Sequence, residues 1–319
     1  MSASGLPYHL RPRKFVDREL FSEFVAQLLS SEDSENYVYI SMGGKHLSDH
    51  RSLYRRTAIQ CLYSFDGNQD IVAHQNYFKP FDGVCCEELY SNELAGKIDS
   101  ILGRFSKTNA IIWLDYTASI SATQLDEVST LIGKLRPGDV LRVTVNLQAK
   151  DRDQMESVLP LAQRTMAELT ADYIRNITGS YLRETTKEVA ASRIDLALSE
   201  CLEAAFVRGL SQTSYVPIPV LLTKYTDSTT MFVATVLIQE GEQPQVPLGW
   251  RFVPSDWQDI LLIDLPDLTP SERYRFDPVM HHTVEEISAI LGFNFVNADE
   301  LDRYRRFHRF YPIFESVAS

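Results

Sequence analysis

The sequence predicts an α/β protein built on a mostly parallel sheet that ends in an antiparallel hairpin. Three observations carry that expectation. Between residues 37 and 148, five short apolar runs alternate with four segments of helical periodicity, the pattern of parallel strands joined by right-handed crossovers. The runs are nearly continuous in apolar residues, as strands are when helices cover both faces of a sheet. Finally, "YVPIPVLLTKY" (215–225) and "MFVATVLIQ" (231–239) flank the polar turn "TDSTT", which reads as one long hairpin.

The elements follow in order. Residues 15–30, "FVDRELFSEFVAQLLS", place Phe15, Leu20, Phe24 and Leu28 at helical spacing, an amphipathic lead-in helix. "YVYIS" (37–41) is the first strand and "SDHRSLYRRT" (48–57) its helix. "CLYSFD" (61–66) and "NQDIVAHQNYF" (68–78) form the second pair, "GVCCE" (83–87) and "NELAGKIDSILGRF" (92–105) the third. "AIIWLDYT" (110–117) precedes a helix from Ser121, a good N-cap residue, to Leu135. "RPGD" (136–139) stops that helix before a fifth strand, 139–148. Together with the hairpin, this predicts seven strands with only the one near 231–239 antiparallel.

Residues 151–210 read as a helical insertion, expected to pack beside or over the cleft as a lid. The tail, 245–319, reads as a small helical module, in which Thr283 and Glu286 make a capping box. The domain expectation is therefore 1–244 for the α/β domain, with the insertion at 151–210, and 245–319 for the C-terminal module.

At 319 residues, 44% apolar and 23% charged, the chain is long enough for a sizeable core and is not disordered in composition. Its net charge of −12 repels nucleic-acid phosphates over most of the surface, so any such contact requires a local basic patch. "MSASGLPYHLRPRKF" is no signal peptide, and no stretch reaches the roughly 18–20 apolar residues of a membrane span. Cys61, Cys85, Cys86 and Cys201 form no C-x-x-C, and they read as reduced thiols of a cytoplasmic protein.

Ligands of open parallel sheets bind at the carboxyl ends of the strands. Gly43 and Gly44 follow the first strand, where glycine admits a close cofactor; a plain left-handed turn is the alternative. Asp66 ends the second strand 23 residues after Gly43, the place of an acid that accepts from ribose hydroxyls, or else of a helix cap. Glu87 and Glu88 end the third strand; one of them would meet an adenine amino group, or both are simply solvated. Asp115 and Tyr116 end the fourth, where a carboxylate orients or deprotonates an acceptor and an aromatic stacks on it, unless Asp115 only caps the next helix. His46 and His50, four apart, suit contacts to a cofactor carboxylate or a solvated helix start better than a metal, since no further ligands accompany them. In "RYRRFHRF" (303–310) and the residue after it, Tyr304, Phe307 and Tyr311 fall on one helical face, which favours core packing over nucleic-acid reading.

With these residues in place the chain resembles class I S-adenosylmethionine-dependent methyltransferases, whose Rossmann-like sheet ends in such a hairpin. It looks closest to a bacterial group that carries the designation O-methyltransferase by name only. "YISMGGKHLSDHRSLYRR", "SFD…QNYFKPF", "IIWLDYT" and "LDRYRRFHRFYPIF" carry the likeness, which covers most of the chain. The resemblance implies S-adenosylmethionine as cofactor, with its methionine end at Gly43 and Gly44, its ribose at Asp66, and chemistry near Asp115 and Tyr116. Ser41 and Met42 stand where the wider family has an acid and a G-x-G spacing, and Asp66 where glutamate is commoner. The leading expectation is methyl transfer to an oxygen or nitrogen nucleophile of a small or macromolecular acceptor. A non-catalytic scaffold, such as a subunit of a bacterial defence or toxin–antitoxin complex with a protein partner, is the alternative. A nucleic-acid methyltransferase is the second alternative.

Overall fold

The structure, a computed structural model, describes residues 11–29, 33–57, 59–147, 165–183, 193–241, 247, 249–291 and 297–312. Much of the expected insertion, 151–164 and 184–192, lies outside them. The described chain divides into two compact units. The larger takes its residues from 22–224 and 229–261; the smaller takes its own from 1–21, 225–228 and 262–319.

After helix α1 (Pro12–Leu28) come β1 (Tyr37–Ser41), α2 (Ser48–Arg56), β2 (Cys61–Asp66), α3 (Gln69–Phe78), β3 (Val84–Glu88) and α4 (Ser91–Phe105). Then follow β4 (Asn109–Ser119), α5 (Ala122–Ile132), β5 (Val140–Asn146), α6 (Met166–Thr178), α7 (Ile194–Leu210) and the hairpin β6 (Tyr215–Thr226) and β7 (Thr230–Glu240). The strand order is β3-β2-β1-β4-β5-β7-β6. The pairs β1–β2, β2–β3, β1–β4 and β4–β5 are parallel. β7 runs antiparallel to β5, from Val140 opposite Leu237 to Asn146 opposite Met231. Seven strands were expected. The chain also carries an eighth, short strand, β8 (Leu261–Ile263). At three residues it is too short to show alternation in sequence.

Local chemistry sets the helix starts. Asn68 caps α3 by accepting from the N–H groups of Asp70 and Ile71, and Ser121 caps α5 in a capping box with Gln124. The lead-in helix departs from its expectation. Asp17, Arg18, Glu19 and Ser22 are buried beside Val16, Leu20, Phe21 and Phe24, so this stretch is covered all round rather than on one face. Apolar spacing alone does not reveal that its polar side is also covered.

The "RPGD" turn holds more than a helix stop. Asp139 Oδ1 accepts from Ala110 N at 2.8 Å and Asn109 Nδ2 at 3.1 Å, and Oδ2 accepts from Arg136 N at 2.8 Å. Gly138 N donates to Ile238 O, and Tyr37 Oη donates to Gly138 O. One turn thereby ties β1, β4, β5 and β7 together at the edge opposite the strands' carboxyl ends.

The smaller unit carries α8 (Pro270–Phe276), α9 (Val284–Leu291) and α10 (Ala298–Phe307). Glu286 accepts from Thr283 N and Thr283 Oγ1 from Glu286 N, the expected capping box. Leu301, Tyr304, Phe307 and Tyr311 are buried. Tyr304 Oη donates to Asp277 Oδ1, and the Arg273 guanidinium lies 4.4 Å from the Tyr311 ring centroid. The basic–aromatic run is a core face with arginines outside it.

Candidate active site at the carboxyl edge of the sheet

Residues paired in register across parallel strands project to the same face. Ser64, Ser41, Trp113, Arg142 and Thr235 are successive partners across β2, β1, β4, β5 and β7. Two residues nearer the carboxyl edge, Glu88 pairs with Asp66, and Asp115 with Thr144. β1 has already ended there, so the Gly43–Gly44 turn falls between Asp66 and Asp115. Two strand spacings put the backbones of these two acids roughly 10 Å apart.

Gly43 and Gly44 are both left-handed, at φ 59° and 54°. Their surroundings differ. A Cβ on Gly43 would stand 2.1 Å from Ser64 Oγ and 2.9 Å from Leu47 Cδ2, whereas a Cβ on Gly44 would meet nothing within 4 Å. Gly43 is thus packed inward and Gly44 faces open space. The turn ends at Leu47, a buried, left-handed residue (φ 52°) at the start of α2. Such a backbone costs a leucine about 1–2 kcal/mol, which burial of its side chain offsets.

Two α3 side chains brace this turn. Gln75, fully buried, donates from Nε2 to Gly44 O at 2.8 Å and accepts from Ser64 Oγ at 3.1 Å. His74 Nδ1 lies 3.1 Å from Lys45 O. His50 is also fully buried, its Nε2 3.1 Å from Tyr63 O. That carbonyl is only an acceptor, so Nε2 carries the proton. Burial pushes the His50 pKa down to about 4; the ring is neutral at pH 7. His46 is exposed, edge-on to His74 at 5.9 Å.

Asp66 Oδ1 accepts from Asn68 N at 2.8 Å, an Asx turn ahead of α3, while Oδ2 makes no hydrogen bond among the described residues. The helix cap itself is Asn68. Glu87 points the other way, since its register partner is Phe65. It accepts from Tyr63 Oη at 2.8 Å and from Arg104 Nη1 at 2.5 Å. Burial raises its pKa, but these hydrogen bonds outweigh burial and hold it below the usual carboxylate range. The acid that shares Asp66's face is Glu88, which is exposed.

Asp115 is half-buried on the same face as Trp113 and Thr144, and β4 runs on past it to Ser119 with a register shift between the two. Tyr116, one residue on, belongs to the opposite face. It is buried in the core, and its hydroxyl donates to Glu127 Oε2 at 3.1 Å. Burial and then the Glu127 charge push that phenol far above its ordinary pKa. Sequence reasoning passed over Arg142. Fully buried, it lies 4.4 Å from the Trp113 ring centroid and donates to Thr235 Oγ1 at 2.8 Å. An arginine inside the apolar strand "VLRVTVN" was the available signal. At the ends of β4 and β5 lies a small hollow of about 20 Å³, with Ser119 and Asn146 beside an otherwise largely apolar lining that includes Tyr173, Ile174, Ile177 and Leu198.

The sequence matches the family described as "Putative O-methyltransferase" over residues 6–319. The chain belongs to this O-methyltransferase family. The mostly parallel sheet closed by the antiparallel hairpin strand β7 agrees with the fold the resemblance implied. No curated protein matches the sequence. Among solved structures the chain is similar to Trm1 from Pyrococcus horikoshii, a complex with S-adenosyl-L-methionine, at 13% identity and a TM-score of 0.44. That alignment covers 72% of this chain and 56% of Trm1, so this methyltransferase family member spans just over half the length of that relative. An O-methyltransferase from Bacillus cereus, in complex with SAH, aligns at 10% identity and a TM-score of 0.36, covering 69% of this chain and 80% of its own. The residues present suit the family's S-adenosylmethionine: an open backbone at Gly44 and an uncommitted carboxylate oxygen on Asp66 lie at neighbouring strand ends.

Proposed function

We propose that this chain binds S-adenosylmethionine at the carboxyl edge of β1 and β2 and directs its methyl group to an oxygen nucleophile. The observation that carries the reading is the braced Gly43–Gly44 turn, open on its outer side and level with Asp66 and Asp115. The sulfonium supplies an already activated methyl, so the protein contributes proximity and alignment. Gly44 gives the cofactor's methionine end a backbone without side-chain obstruction, with Gly43 shaping the turn and His46 at its exposed flank. Asp66 Oδ2 accepts from the ribose hydroxyls. Of the two acids ending β3, Glu88 is the one turned toward that side; Glu87 supports β2 through Tyr63. Asp115 orients the acceptor or takes its proton. Tyr116, on the opposite face and committed to Glu127, moves no proton.

Among the described residues no helix is long and apolar enough to cross a membrane. All four cysteines are unpaired, which suits the reducing cytoplasm.

Titration calorimetry with S-adenosylhomocysteine tests the reading. The wild-type chain binds. Asp66→Ala loses two hydrogen bonds of about 0.5–1.5 kcal/mol each, somewhat more for a charged acceptor, and its affinity falls roughly ten- to a hundredfold. Asp115→Asn retains wild-type affinity, because it acts on the acceptor. No heat from the wild type with either the cofactor or its demethylated product at millimolar concentration would leave a methyltransferase-like scaffold instead.

A further inference from the structure

A chain with a net charge of −12 nonetheless concentrates cations on one aromatic surface of the larger unit. Residues 45–57 and 74–81 hold Lys45, Arg51, Arg55, Arg56 and Lys79 against one carboxylate, Asp49, and that carboxylate is buried. Lys45, Arg55 and Arg56 are exposed. Among them lie rings that the core does not use. Tyr77 is 82% exposed and Phe78 53%. The rings run in contact: His46 to His74 at 5.9 Å, His74 to Phe78 at 4.5 Å and Phe78 to Tyr77 at 4.7 Å. Tyr54 stacks on Phe81 at 4.2 Å alongside. Arg51 fixes the arrangement, donating from Nε to His46 O and from Nη2 to Phe78 O. The track therefore begins at the residue two past Gly44 and runs down α3 away from it.

We propose that this surface binds single-stranded nucleic acid. Every base has a π-face, and a single strand presents bases free to stack on exposed rings while its phosphates meet arginine and lysine. A duplex hides those faces. The acidic remainder of the molecule repels a polyanion and confines it to this patch. Lys45 and His46 lie beside the Gly43–Gly44 turn and the other rings and cations lead away from it, so one end of a bound strand would reach the proposed cofactor site. Binding itself does not depend on methyl transfer.

Fluorescence anisotropy with a labelled oligouridylate and oligothymidylate of about 15 nucleotides, against a duplex of equal length, tests this on the full chain. Both single strands should bind more tightly than the duplex, with affinity falling steeply between about 50 and 200 mM salt. Tyr77→Ser with Phe78→Ser should weaken binding about five- to a hundredfold. Arg55→Gln with Arg56→Gln should flatten the logarithmic salt slope by about 0.7 for each phosphate that is no longer neutralised. Both double variants should melt with the wild type and retain its heat with S-adenosylhomocysteine, because the changed side chains are exposed and outside the cofactor residues. No anisotropy change at the lower salt overturns the proposal. So does binding that Tyr77→Ser with Phe78→Ser leaves intact, or a dimer dependent on these two rings, seen by sedimentation, in place of oligonucleotide binding.

Discussion

Gly43 and Gly44 have nearly the same backbone angles but do different work. A left-handed alanine costs about 1–2 kcal/mol at either position. At Gly43 the new methyl must also displace Ser64 Oγ and Leu47, an overpacking cost of about 1–3 kcal/mol more. Urea unfolding should therefore rank Gly43→Ala as the less stable variant. Equal midpoints would mean that Gly43 is not packed as described. Gly44→Ala should instead be felt in cofactor affinity, since its methyl projects into the open side of the turn. His50 provides a second residue-scale expectation. Its pKa falls from 6.5 to about 4 because burial disfavours the charged ring. The unfolded chain thus binds more protons between these values, and stability is complete above pH 6.5 and is lost as pH falls toward 4. The loss amounts to up to about 3 kcal/mol. His50→Gln keeps a donor for Tyr63 O and removes the titration. Stability curves for the two proteins should diverge between pH 7 and 4, with the wild type falling relative to the variant; parallel curves would contradict the assignment.

At the scale of elements, the Asp139 turn is the principal tie at the far edge of the sheet. Asp139→Ala leaves Ala110 N and Arg136 N without their acceptor and takes from Asn109 Nδ2 one of its two, Pro137 O remaining. With unsatisfied buried donors at about 1–3 kcal/mol each, partly relieved by water, the loss should be about 3 kcal/mol or more. A melting temperature within a degree or two of wild type would show that this edge does not depend on the carboxylate. Burial pushes the Asp139 pKa up to about 6, against the hydrogen bonds from Ala110, Arg136 and Asn109. Its contribution is greatest below the unfolded value near 4 and declines as pH rises through 6, opposite in sign to that of His50. The His50 experiment is accordingly read as a difference between two proteins that share Asp139. Strand existence and order of appearance were legible in the apolar runs, and "RPGD" announced its turn. Side-chain direction was less so. Glu87 and Glu88 are neighbours, and only the register of β3 on β2 decides which faces Asp66, because a one-residue slip exchanges the faces. The same alternation separates Asp115 from Tyr116. Gln75 looked like one polar residue of an ordinary helix. Its role depends on β1 and β2 being adjacent, which no local pattern in α3 encodes.

At the scale of the molecule, the family match spans almost the whole chain, while every residue proposed to hold the cofactor lies in the larger unit. Ligand binding should therefore be registered there and not in the helices of the smaller unit. A ligand that binds only the folded state stabilises it by about 2.7 kcal/mol at a hundredfold excess over Kd. Amides whose exchange requires opening of the ligand site slow accordingly. Hydrogen exchange with saturating S-adenosylhomocysteine should slow the amides of 41–48, 64–70 and 113–118, the turn after β1 and the carboxyl ends of β2 and mid-to-late β4. Exchange in 270–291 and 297–312 should remain as in the free chain. Asp66→Ala at the same ligand concentration should show weaker protection in all three segments together, since one binding equilibrium controls them. Protection confined to the smaller unit would displace the site from the Gly43–Gly44 turn. Protection of 113–118 alone would separate the ligand from Asp66 and place it at the acceptor side of the sheet.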